Sequence, residues 1–155
     1  MSRFLTMSLL LSLPAFARPW NGIAPGTATS ADVTAKFGEP SKVTQIKGAD
    51  VLVYSNDRAI KGAKQAQFRI DATRRTVTRI DVYPAVDIDA KAIEKSYGPE
   101  CAKGQREGCY VRRENAAKHL YFTYPSLGLA VFFNDDNATV KSLTFLPDNL
   151  PDKPE

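Results

Sequence analysis

The chain has 155 residues, 25% of them charged and 43% hydrophobic, with a formal net charge of +4. This balance excludes collagen-like, coiled-coil and wholly disordered chains, and no run reaches the roughly 20 apolar residues that a membrane-spanning helix needs. The charge is too mild to mark a nucleic-acid binder, and one His with two Cys leaves little material for metal or nucleophile chemistry.

The first residues have the order of an export signal. Arg3 supplies a positive start, residues 4–13 are apolar around Leu9, Leu10 and Leu11, Pro14 breaks the run, and Ala15-Phe16-Ala17 is a small-x-small site. The pattern predicts a signal peptide over residues 1–17, cleaved near Ala17, and a periplasmic or secreted product. Arg18 rather than a Cys follows the small residues, so no lipid anchor is expected.

Two short helices are predicted. In the first, Thr29 caps with Asp32 three residues on, Val33 and Phe37 share a face, and Gly38 with Pro40 ends the run. In the second, Asp87 or Asp89 caps, Ile93 and Tyr97 are the apolar pair, and Gly98 with Pro99 stops it. Helices of two to three turns do not stand alone in water and must lie on something else.

Strand candidates follow each helix. They cover residues 43–46, 51–54, 65–70 and 76–83 in the first half, and 110–113, 119–124, 127–133 and 139–146 in the second. Phe68 and Ile70 alternate with Gln67 and Arg69, and Ile80 and Val82 with Arg79 and Asp81. That is the pattern of an antiparallel sheet covered on one face.

Residues 67–84 also match residues 130–147 without a gap, while upstream Phe37-Gly38 meets Tyr97-Gly98 with the second half three residues longer between. Thr76, Val77 and Pro84 meet Thr139, Val140 and Pro147, while Phe68, Ile70, Ile80 and Val82 meet Val131, Phe133, Leu143 and Phe145. The match predicts an α+β fold of two tandem repeats, each a short helix followed by antiparallel strands, forming one larger or two adjacent sheets. The repeats would span residues 18–84 and 85–147, with a disordered tail over 148–155.

Cys101 and Cys109 are close in sequence and bracket a polar loop with two glycines. In an oxidising compartment they are expected to form a disulfide. A structural zinc site needs four ligands, and only His119 could join them, so no metal is expected.

The run Gly22-Ile23-Ala24-Pro25-Gly26-Thr27, then Asp32-Val33, then Phe37-Gly38-Glu39-Pro40-Ser41 resembles the opening of the SmpA/OmlA type of bacterial envelope domain. Tyr97-Gly98-Pro99-Glu100 is a degenerate second copy, and two such units in tandem resemble the β-lactamase inhibitor protein fold. The resemblance implies a binding module of the envelope that docks through a sheet.

Catalytic signals are thin. His119 is the lone His and reads as a surface imidazole. Asp87 with Asp89 belongs to a helix start, and Asp135 with Asp136 to a turn that lacks the ligand spacing of a calcium loop. No glycine pattern for a dinucleotide occurs, and no cofactor is expected. Basic residues cluster at Lys61 and Lys64, at Arg74 and Arg75, and at Arg112, Arg113 and Lys118.

Aromatic residues crowd the second half at Tyr110, Tyr121, Phe122, Tyr124, Phe132 and Phe133. Adjacent rings on a strand point to opposite faces, and the expected division sets Phe122 with Phe132 against Tyr121 with Phe133. Tyr110, Arg112, Tyr121, Tyr124 and Phe132 are the candidate binding residues on an open sheet face. The function expected is that of an exported, non-enzymatic protein-binding module of the bacterial cell envelope, its partner an envelope or secreted protein. The runner-up is a secreted inhibitor of a β-lactamase or a peptidoglycan-directed enzyme, or a binder of an anionic envelope polymer or surface.

Overall fold

The computed structural model describes residues 18–147. The expected signal peptide and the expected tail from residue 148 lie outside the described residues.

Both helices form where their caps stand. Helix α1 (Ser30–Phe37) opens on a capping box: the Thr29 hydroxyl accepts from the Asp32 amide at 3.2 Å, and the Thr29 amide donates to the Asp32 carboxylate at 2.7 Å. The bond from the Thr29 amide, and then one from the Thr29 hydroxyl to the same carboxylate at 2.8 Å, hold the Asp32 carboxyl below its ordinary pKa. Helix α2 (Ala90–Tyr97) starts at Asp89, which accepts from the Ala92 amide at 2.8 Å and so takes the capping role over Asp87. Each helix buries one aliphatic side chain, Val33 or Ile93, and leaves most of its surface in water.

The strands are β1 (Lys42–Ile46), β2 (Ala49–Ser55), β3 (Ala63–Ile70), β4 (Val77–Pro84), β5 (Val111–Glu114), β6 (Leu120–Tyr124), β7 (Leu129–Phe133) and β8 (Val140–Phe145). All pair antiparallel in one sheet of order β1-β2-β3-β4-β8-β7-β6-β5. This corrects the expected α+β fold of two tandem repeats. Among the described residues the fold is a single eight-stranded antiparallel sheet carrying two short α-helices.

The joint is the β4–β8 ladder, where Ile80 faces Phe145, Asp81 faces Thr144 and Val82 faces Leu143. The two hairpins that match each other in sequence, β3–β4 and β7–β8, are therefore joined side by side through β4 and β8. Strands lining one covered face must be apolar at alternate positions, so their patterns agree because they serve one interior. Leu52, Phe68, Ile80, Phe145, Leu129 and Tyr124 run in register across six strands into a single core cluster that also holds Val33 and Ile93. Trp20 closes one end of that core, 6.0 Å from the Phe68 ring and 6.2 Å from Phe37.

Each helix ends at a glycine whose carbonyl is held by a buried tyrosine. Tyr54 donates to the Gly38 carbonyl at 2.8 Å, and Tyr124 donates to the Gly98 carbonyl at 2.9 Å. Both tyrosines are fully buried, and these bonds satisfy their hydroxyls while tying helix ends to the sheet. No buried side-chain polar atom among the described residues lacks a partner.

The Cys101–Cys109 disulfide is present, with Cα atoms 4.8 Å apart. It lies in the connection from α2 to β5, where the Cys101 amide donates to the Tyr110 carbonyl and the Tyr110 amide to the Pro99 carbonyl, each at 2.9 Å. Opening so short a loop is expected to cost roughly 2.5 kcal/mol by the chain-entropy relation. A melt with and without dithiothreitol should show a fall of about 10 °C for a domain of this size. An unchanged melting temperature would rule out this contribution.

Candidate functional site

The five candidate binding residues fall in three places. Tyr110 and Tyr124 are 2% and 0% exposed and belong to the core beneath α2. Tyr110 stacks on Phe122 with ring centroids 3.8 Å apart and donates to the Glu94 carboxylate at 2.7 Å. Burial, and then the bond to Glu94, pushes the Tyr110 phenol far above its ordinary pKa. Neither tyrosine presents a surface to a partner. Arg112 sits opposite Phe122 on edge strand β5, so it lies on the helix-covered side of the sheet, exposed at its margin. Tyr121, 9% exposed, and half-buried Phe132 are brought together on the other side, where Phe132 offers more of its ring to solvent.

The register decides this division. Tyr121 pairs directly with Phe132 and Phe122 with Val131, so Tyr121 and Phe132 share the face that is helix-free among the described residues, while Phe122 and Phe133 pack into the core. The expected grouping of Phe122 with Phe132 is thereby corrected. The Tyr121 and Phe132 rings stack at 5.5 Å and 22°, whereas Phe122 meets Phe133 edge-on at 4.7 Å.

On the helix-free face a row runs across all eight strands: Lys42, Val53, Gln67, Asp81, Thr144, Ala130, Thr123 and Val111. Its middle is made of small side chains, Thr144, Ala130 and Thr123, each at most 5% exposed. Larger side chains stand on either side of them, with Tyr83, Phe132 and Tyr121 toward one margin and Arg79 toward the other. Thr144, Tyr83, Phe132, Tyr121 and Arg79 line a groove of about 460 Å³ together with His119, Lys141 and Ser142.

Sequence reasoning passed over the polar part of this groove. Arg79 Nε donates to both Asp81 oxygens at 2.8 and 2.9 Å, and Thr144 Oγ1 donates to Asp81 Oδ1 at 2.6 Å. The last bond crosses the β4–β8 joint and pins it from the open side. The available signal was the alternation of Arg79, Asp81 and Tyr83 with Ile80 and Val82, which places the three on one face. Burial and the nearby Asp81 charge raise the Tyr83 phenol above its ordinary pKa. His119 lies at the groove's end, its Nε2 3.4 Å from the Asp135 carboxylate. Among the described residues no three His, Cys, Asp or Glu side chains gather as a metal site, and no helix is long and apolar enough to cross a membrane.

No family model matches the chain, and no curated protein does. Among solved structures it is similar to a DUF4309 family protein (YjgB) from Bacillus subtilis subsp. subtilis str. 168. The identity is 17%, the TM-score 0.53, and the alignment covers 82% of this chain and 83% of that one. At that identity the likeness is one of fold.

Proposed function

We propose that this protein is an exported, non-enzymatic binding module of the bacterial cell envelope, which docks a protein partner through the helix-free face of its sheet. The observation that carries the reading is the Tyr121–Phe132 stack beside the groove, on the side opposite α1 and α2. Paired aromatic rings at the edge of a recess are the groups that supply most of the energy of protein interfaces. The Cys101–Cys109 disulfide is compatible with an oxidising compartment. The signal-like residues 1–17 and the resemblance to envelope domains favour the same location.

The test is capture from envelope extract with the processed chain beginning at Arg18, disulfide intact. Phe132 is half-buried on the docking face, and Phe132→Ser is expected to lower recovery of the partner about tenfold, the loss typical of a hot-spot residue. Val43, 56% exposed on the other side of edge strand β1, supplies the control, and Val43→Ser is expected to change nothing. Equal recovery with both variants, each shown folded by its melt, sinks the docking face.

A further inference from the structure

The cations of the helix-free face carry the reading one step further, to the chemistry of the partner. The ladder register puts Lys42, Arg69, Arg79 and Arg113 on this face, and Lys141 lines its groove. Among the strand residues of the face, Asp81 is the acidic one. Its two oxygens are already engaged by Arg79 and Thr144. Arg69 lies directly opposite Arg79 in the β3–β4 ladder, an arrangement of like charges that weakens a sheet unless something answers it. Among the described residues Lys42, Arg69, Arg113 and Lys141 have no ion pair. The hydrogen bond from the Arg113 Nε goes to a neutral acceptor, Thr123 Oγ1, at 3.4 Å.

We propose that the helix-free face takes an acidic protein segment, one that sets carboxylates against Arg69 and Arg113 and an apolar side chain against the Tyr121–Phe132 stack. This rests on the docking reading above. Charge complementarity argues for an anionic partner. The guanidinium fork matches a carboxylate with two parallel hydrogen bonds, which a lysine cannot do. Arg69, Arg79 and Arg113 are half-buried and therefore held in place. Arg79 lines a recess walled by Tyr83, Tyr121 and Phe132, while Arg69 stands opposite Arg79 and Arg113 opposite Tyr121 in their ladders. A protruding peptide segment reaches such groups, whereas a flat anionic bilayer meets only what projects.

The experiment uses the processed chain and three labelled probes: a random copolymer of glutamate and tyrosine, polyglutamate, and phosphatidylglycerol vesicles. The copolymer is expected to bind most tightly, with affinity falling as salt rises. R69S/R113S should weaken copolymer binding about tenfold, and R69K/R113K should recover only part of it, since the charge returns without the fork. Lys95 and Lys103 are exposed on α2 and in the disulfide loop, away from this face, and K95S/K103S should leave binding unchanged.

Equal losses in R69S/R113S and K95S/K103S would reduce the effect to net charge and overturn the proposal. Vesicle binding without copolymer binding would overturn it in favour of a membrane surface, and binding to none of the probes would overturn it outright. The envelope capture separates the two levels. A partner lost with Phe132→Ser but kept with R69S/R113S leaves the docking face standing and removes the acidic segment. A partner indifferent to Phe132→Ser removes the docking face itself.

Discussion

Gly98→Ala is expected to destabilise the fold by about 3–5 kcal/mol, combining backbone strain with a steric overlap that no side chain can relieve. Gly98 ends α2 at φ 116° and ψ 161°, a region that only glycine occupies freely. A methyl group there would overlap the Gly108 carbonyl oxygen, with the carbonyl carbon 2.9 Å away. The obstacle is backbone, and the neighbouring Cys109 is bound to Cys101, so that loop cannot simply step aside. The Gly98 carbonyl also holds the Tyr124 hydroxyl, which ties any shift at this point to the core.

Gly38 is the internal control. It ends α1 at φ 76° and ψ −167°, and its carbonyl accepts from Tyr54 in the same way. Nothing stands within 4 Å of the position its added methyl would take. Gly38→Ala should therefore cost only the conformational strain, about 1–3 kcal/mol. Urea midpoints of the two variants at unchanged m-value measure the difference. If Gly98→Ala falls no further than Gly38→Ala, the close approach of residues 98 and 108 is not what holds that end of the helix.

The second large effect concerns the single core. Phe68→Ala is expected to cost about 3–5 kcal/mol, as removal of a fully buried phenyl ring does. The ring lies 5.7 Å from Tyr54, 5.8 Å from Phe37 and 6.0 Å from Trp20, and it faces Leu52 and Ile80 across the ladder. The more telling outcome is where the loss is felt. Through the β4–β8 joint the core runs on to Leu129 and Phe122, so amide protection in β6 and β7 should fall together with the Trp20 fluorescence transition. Separate transitions for the two ends of the sheet would contradict one cooperative core.

Local structure was legible because its causes are local. Thr29 with Asp32 announced the first helix, and Gly38 and Gly98 announced where both helices end. The alternation of Phe68 and Ile70 with Gln67 and Arg69 announced a sheet covered on one side. The strands stand within a few residues of where turn signals and periodicity put them. Cys101 and Cys109 were legible as a pair because a short separation and a polar loop leave few other fates.

The site was legible only in part. Alternation within one strand says that Tyr121 and Phe122 point apart, as do Phe132 and Phe133. It does not say which ring of one strand joins which ring of the other, because a slip of one residue exchanges all of them. The turn at Pro125–Leu127 and the register that follows it, Tyr121 against Phe132, make that choice. The same register places Arg112 on the covered side and Arg113 on the open one. Tyr124 and Tyr110 were misplaced for a related reason: they share the parity of Phe122, and α2 lies over that side.

By itself the amino-acid sequence determined the caps, the helix stops, the alternating strands and the disulfide pair, since each depends on residues within a few positions of one another. Tertiary structure alone decided that β4 lies beside β8, that eight strands make one sheet, and that Arg69, Arg79, Arg113, Tyr121 and Phe132 share its uncovered face. Strand neighbours are chosen through backbone hydrogen bonds, which are alike for every residue, and by the burial of one common apolar face. Neither names a strand's neighbour in the local pattern, so the helix-free face and its groove exist only once the sheet has closed its joint.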